Sequence, residues 1–189
     1  MSPRYPALPD LWLVTDARND RVLERALAKL PAGSGVIFRH YHLPPAERRA
    51  RFAALRRAAH RRGHVIALSG TARQARAWRA DAVYGDAAHL IGGPALPRLC
   101  TVHSLRELAD ARRARADAVL LSPVFPTRSH PGGTLLGPIR FRLIAARAGL
   151  PVIALGGMDR ARARRLKWCK WAAIDGFCDG PTRWNPVDS

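Results

Sequence analysis

Residues able to do chemistry collect in two stretches of this chain. Residues 121–133, LSPVFPTRSHPGG, end an apolar run in the hydroxyls of Thr127 and Ser129, the guanidinium of Arg128 and the imidazole of His130. Residues 151–157, PVIALGG, end another apolar run in Gly156 and Gly157, and Gly176 follows a third. Hydroxyls, cations and glycine amides at strand ends are the means of holding an anion, because backbone N–H groups at a glycine turn can approach phosphate oxygens closely. Arg39, after the run GVIF, adds a planar fork that can grip phosphate in two places. His130 titrates near neutrality and is not a permanent cation. Such a set stabilises charge more than it moves protons. Each member also has a plainer reading. Thr127, Ser129 and the neighbouring Pro and Gly residues suit any surface turn, Gly156 and Gly157 suit a tight strand-to-helix turn, Arg39 suits an interior ion pair, and His103 suits a helix-capping region.

The elements that must position these residues are legible as a repeating pattern. Apolar runs of strand length begin at Leu11, Gly35, His64, Asp81, Leu99, Asp117, Pro151 and Trp171, which makes eight. Most are separated by segments with apolar residues at i, i+3 and i+4, such as Phe52, Leu55 and Ala59 in the arginine-rich segment 46–62. Pro44 and Pro45 suit a helix start, Ser104 with Glu107 suits a capping box, and Asp159 suits an N-cap. Strands apolar on both faces that alternate with helices imply a parallel sheet covered by helices.

Eight units favour an α/β fold of the compact (β/α)8 TIM-barrel type over an open flavodoxin-like sheet. At 189 residues the barrel must be trimmed. The connection 86–98 leaves little room for a fourth helix, and the residues after the eighth run leave no long closing helix. Active sites of such barrels lie at the C-terminal strand ends, with phosphate after the seventh and eighth strands, where Gly156, Gly157 and Gly176 stand.

Nearly half the residues are apolar, so residues 1–189 can form a single domain around one core. No apolar run reaches the roughly 20 residues of a membrane helix, and MSPRYPALPD has no apolar segment like a signal peptide, so a soluble, cytoplasmic protein is expected. Cys100, Cys169 and Cys178 form no CxxC pair, which argues against disulfides and a cysteine zinc site. The formal charge of +18 is carried almost wholly by arginine spread over several segments. Without a dense basic tail or a recognition motif, nucleic-acid binding is the outsider, while attraction of an anionic small substrate fits the charge.

The text DAVLLSPVFPTRSHPGG, followed about twenty residues later by PVIALGGM and preceded by TVHSLRELADARRARAD, resembles the thiamine-phosphate synthase superfamily, which also contains thiazole tautomerases. The family's text at these places is G-x-S-x-H, GPVFPTxTK and PVxAIGGI. LWLVTD and the Arg39 strand match more loosely. The resemblance implies a transferase of thiamine biosynthesis that joins a pyrimidine methyl diphosphate to a thiazole phosphate, with loss of magnesium-bound diphosphate. It implies small phosphorylated substrates and no membrane. It places Arg39, Thr127, Ser129 and His130 at the catalytic, diphosphate-facing positions and Gly156, Gly157 and Gly176 at the thiazole phosphate.

The departures from the family text lie around the metal and the cations. The third-strand Asn-Asp pair of the family, whose aspartate holds Mg2+, falls on Ser69 and Gly70, which leaves Asp86 as the candidate ligand. The lysine of the Thr-x-Thr-Lys motif is His130, and a lysine after the second-strand arginine becomes Tyr41 or His42. Pro123 stands where a tautomerase would carry a histidine, which ranks tautomerase below synthase. The alternative is a divergent member that binds a phosphorylated thiazole or pyrimidine without turnover. A homodimer is possible, with a second subunit in the place of the closing helix.

Overall fold

Eight strands form, each three to five residues long: β1 (Leu11–Val14), β2 (Gly35–Phe38), β3 (Val65–Ser69), β4 (Ala82–Gly85), β5 (Arg98–Val102), β6 (Ala118–Leu121), β7 (Val152–Ala154) and β8 (Trp171–Ala173). The computed structural model describes residues 8–127, 134–175 and 177. Each strand pairs in parallel with the next, and β8 returns to β1 with Leu11 opposite Trp171 and Leu13 opposite Ala173. The sheet is therefore a closed barrel, and the open flavodoxin-like alternative is excluded.

The two-residue period of the strands sorts the core into two compartments. Trp12, Val14, Ile37, Ala67, Tyr84, Leu99, Leu120 and Ile153 fill the barrel interior, while Leu13, Val36, Phe38, Leu68, Val119 and Leu121 pack outward under the helices. Small residues make room for large ones inside: a Cβ at Gly35 would fall within the Trp12 indole. The indole N–H donates to the Pro9 carbonyl at 2.8 Å, so its polar edge is satisfied at the closed end.

Seven α-helices cover the barrel among the described residues, with a short 3-10 helix (Asp20–Val22) leading into the first: α1 (Leu23–Lys29), α2 (Pro45–His60), α3 (Ala72–Ala77), α4 (Ala87–Leu90), α5 (Leu105–Arg113), α6 (Gly137–Ala145) and α7 (Arg160–Leu166). α2 buries Phe52, Leu55, Ala58 and Ala59, the face expected from the spacing. Pro44 is its N-cap and Pro45 opens its first turn. Asp159 caps α7 by accepting from the Arg162 amide at 2.8 Å. The capping box of α5 is half of what its text suggests: Ser104 Oγ accepts from the Glu107 amide, but Glu107 accepts from the His103 amide, one residue before the cap. α4 is trimmed to four residues, as expected. The expected lack of a closing helix concerns residues outside the described ones.

A repeated five-residue text, RADAV at 79–83 and 115–119, turns two helices back into strands. Arg79 and Arg115 adopt left-handed backbone (φ 60° and 56°), and the next amide reaches back to the helix, Ala80 to Ala75 and Ala116 to Ala111. Asp81 and Asp117 then accept from the Ile66 and Arg98 amides, each at 2.8 Å, and pin the new strand to its predecessor.

Candidate functional site

Val14 and Ile37 point into the barrel, so the next positions of the same parity, Asp16 and Arg39, come at its mouth. Arg39 Nη2 lies 3.0 Å from Asp16 Oδ2, while Arg18 Nε takes Asp16 Oδ1 at 3.1 Å. Burial would raise the Asp16 carboxyl, but the hydrogen bonds and charge of Arg18 with the charge of Arg39 outweigh it and hold the group below the ordinary aspartate value. The ion-pair reading of Arg39 is thus realised, yet it leaves a donor over. Arg39 Nε is buried with no hydrogen-bond partner among the described residues, which is costly unless a ligand supplies an acceptor.

The backbone of Arg39 is held on both sides. Its N–H donates to Thr15 Oγ1 at 3.0 Å, and its carbonyl accepts from Arg48 Nε at 2.8 Å. Thr15 Oγ1 lies 2.7 Å from His40 Nδ1, and His40 Nε2 lies 2.8 Å from Asp20 Oδ1. With Nε2–H donating to the carboxylate, Nδ1 accepts from the Thr15 hydroxyl. Burial disfavours the imidazolium; the Asp20 hydrogen bond and charge oppose this without overcoming it, so the His40 pKa lies below the ordinary histidine value. Arg48 donates to the Ser69 carbonyl at 2.7 Å and stacks 5.4–5.6 Å from the rings of Phe38, Tyr41 and Trp78. Tyr41 hydrogen-bonds Ser69 Oγ, so these two polar side chains satisfy each other.

Across the mouth, the loop after β6 lies on the turn after β7. Val124 N–H donates to Leu155 O at 3.0 Å and Phe125 N–H to Gly156 O at 3.1 Å. Gly156 and Gly157 have φ of +92° and +60°. A Cβ on Gly156 would sit 2.6 Å from Pro123 Cα, and one on Gly157 would strike the Pro126 carbonyl. Both glycines are thus demanded by the seat of the β6–α6 loop, and a tight turn and a close-approach surface are one feature here. Arg162 donates to the Gly157 carbonyl and lies 5.4 Å over the Phe125 ring. Thr127 is half-buried at the end of the described part of this loop. Ser129, His130 and Gly176 lie outside the described residues.

Among the described residues, positions 70 and 86 do not fit a two-carboxylate magnesium site. Asp86 is the N-cap of α4: Oδ1 accepts from the His89 amide at 2.9 Å, and both oxygens lie within 2.9 Å of His89 Nδ1. Gly70 offers no carboxylate, and the space its Cβ would take holds the neutral Gln74 Oε1. His103 pairs with Glu107 at 2.7 Å in the α5 cap region, in keeping with its plainer reading. Asn19, which the sequence did not single out, closes the barrel seam by donating to Val14 O at 3.0 Å and Ile174 O at 2.9 Å. Arg48, and Arg51, whose Nε donates to Asp20 Oδ1 at 2.8 Å, were equally hidden, since nothing in their local text separates them from Arg49 or Arg56. Asp20 carried no signal either, standing in a polar stretch with no strand end to mark it.

The family model described as thiamine monophosphate synthase matches residues 11–175. A thiamine-phosphate synthase of Mycobacterium sp. (strain JLS) is 32% identical over 186 residues, covering 86% of this chain and 81% of that protein. A thiamine biosynthesis bifunctional protein of Symbiobacterium thermophilum is 36% identical over 161 residues, covering 80% of this chain. The chain spans about a third of the length of the first two curated relatives it matches, 33% and 32%. Among solved structures, thiamine phosphate pyrophosphorylase from Pyrococcus furiosus superposes with a TM-score of 0.74 at 24% identity, over 89% of this chain and 86% of that one, a likeness of fold.

Proposed function

We propose, starting from the fact that this chain belongs to the thiamine monophosphate synthase family, that it joins a pyrimidine methyl diphosphate to a thiazole phosphate. The C–O bond of the pyrimidinylmethyl diphosphate breaks with its electron pair leaving on the diphosphate, and the thiazole nitrogen lone pair forms the new C–N bond. No proton has to move, so the site needs placed cations and donors, not a general base. That agrees with a mouth in which His40 is buried and engaged at both ring nitrogens.

The observation that carries this reading is the buried Nε of Arg39, without a hydrogen-bond partner among the described residues, beside an ion pair at the end of β2. In the proposed complex Arg39 grips the leaving diphosphate, and Thr127, Ser129 and His130 contact it from the loop after β6. Gly156, Gly157 and Gly176 present amides to the thiazole phosphate. The magnesium expected from the family is not assigned to Asp86, whose oxygens are engaged with His89; arginine supplies the fixed charge in its place. Diphosphate release from the two substrates together tests the reading, with Thr127→Val as the impaired control. The absence of a carboxylate at Gly70 favours a second reading, ligand binding without turnover. It predicts heat stabilisation by thiazole phosphate and no diphosphate.

A further inference from the structure

We propose that Asp20, His40 and His42 form a binding site for a late first-row divalent cation, Zn2+ above all, on the flank of the barrel mouth and separate from any magnesium site. One ligand atom from each residue lies within 4.8 Å of the others. The set brings together the turn after β1, which carries Asp20, and the loop after β2, which carries both histidines. His40 is the anchor. Its side chain is fully buried, stacked on Phe38 at 4.6 Å between ring centroids and tilted against His42 at 5.1 Å.

The ring nitrogens of His40 already face the two partners a metal site would use, a carboxylate on one side and a hydroxyl able to accept a ring N–H on the other. Nε2 faces Asp20 Oδ1 at 2.8 Å, and Nδ1 faces Thr15 Oγ1 at 2.7 Å. A ligating histidine usually donates its second ring N–H to an outer partner that fixes its tautomer. When Zn2+ takes the Nε2 lone pair, the ring proton resides on Nδ1 and is donated to Thr15 Oγ1, so the imidazole keeps one proton throughout. Arg51 Nε holds Asp20 Oδ1 at 2.8 Å, leaving Oδ2 to ligate while Oδ1 keeps its hydrogen bond. Exposed His42 supplies the third ligand, its ring nitrogen already within 4.8 Å of the other two ligand atoms.

Two imidazoles and one carboxylate suit zinc and its neighbours; magnesium and calcium prefer all-oxygen sets. Three protein ligands leave a fourth position for water. The ion would clamp together the two loops that meet at Arg39, since Thr15, the outer partner, also accepts the Arg39 N–H at 3.0 Å.

The test uses the full chain, stripped of metal, titrated with Zn2+ against a chromophoric chelator. One zinc per chain is expected, unaffected by excess Mg2+, with affinity reduced at least about 10-fold in His42→Ala and unchanged in His60→Ala at the far end of α2. Nitrogen-detected spectra of the wild-type histidine rings provide a second readout, with the His40 and His42 nitrogen signals shifting at one equivalent. Failure to take up zinc at micromolar concentration, equal affinity in His42→Ala, or shifts confined to other histidines would overturn the proposal. Neither readout depends on the synthase reaction.

Discussion

At the scale of single residues, the mouth works by keeping charge in fixed places. Arg39 has its guanidinium on Asp16 and both backbone polar groups tied, to Thr15 and Arg48. Asp86 caps α4, so Asp86→Asn, which keeps the cap, should leave diphosphate release within about 3-fold of wild type whether or not Mg2+ is added; a magnesium titration in which the variant alone loses about 100-fold would make it a ligand after all. Acid lability has a definite direction. His64, like His40, is lowered by burial, against its hydrogen bond to the Leu27 carbonyl. Both imidazoles bind protons less well folded than unfolded, so their stabilisation is full above about pH 6.5 and is lost as pH falls below it. Asp16 and Asp20 are lowered because hydrogen bonds and arginine charge outweigh burial, and Glu24 chiefly by its hydrogen bond from Arg51. These three stabilise above about pH 4 and fail as pH falls through their folded values. The effects add, so calorimetry should find a melting temperature that falls steadily from pH 7 towards pH 4, and His64→Gln should flatten the upper part of that fall. Arg39 could be picked out from its place after an apolar run, but its pairing with Asp16 and Thr15 could not. Thr15 and His40 are 25 residues apart, and Asn19 and Ile174 are 155 apart; only barrel closure brings them together.

At the scale of elements, loops after neighbouring strands support one another. The β6–α6 loop rests on the β7–α7 turn through two backbone hydrogen bonds and two glycines in left-handed backbone. Gly156→Ala combines the φ penalty with a Cβ 2.6 Å from Pro123 Cα. It should cost about 1–3 kcal/mol by denaturant titration and weaken thiazole phosphate binding more than diphosphate binding. Equal affinity for both ligands would separate this turn from the phosphate. The strands were readable because each apolar run is short and bounded by a charged or turn residue, and α2 because Phe52, Leu55 and Ala59 recur on one face. The helix ends were harder. Arg79, Arg115 and Lys167 occupy left-handed positions that usually advertise themselves with glycine, and the capping box of α5 slips by one residue because Glu107 finds the His103 amide and imidazole together.

At the scale of the whole molecule, a closed barrel brings two opposed groups of residues to one mouth: Arg39 and its supports after β1–β3, and the glycine turn with its covering loop after β6 and β7. The net charge of +18 suits anionic substrates. Among the described residues no helix is long and apolar enough to cross a membrane. Barrel closure was legible from eight repeated units; which arginines of a basic surface turn inward was not, since Ala/Arg helices present the same text on every face. The central claim is that this mouth transfers a pyrimidinylmethyl group with Arg39 holding the leaving diphosphate. Its most direct test is coupled detection of diphosphate with both substrates and Mg2+ present, comparing wild type with Arg39→Ala. One diphosphate per thiamine phosphate formed, and a drop in kcat/KM of about 100-fold or more in the folded variant, is the predicted result. No diphosphate from the folded wild-type chain, or equal rates for the two proteins, would contradict it.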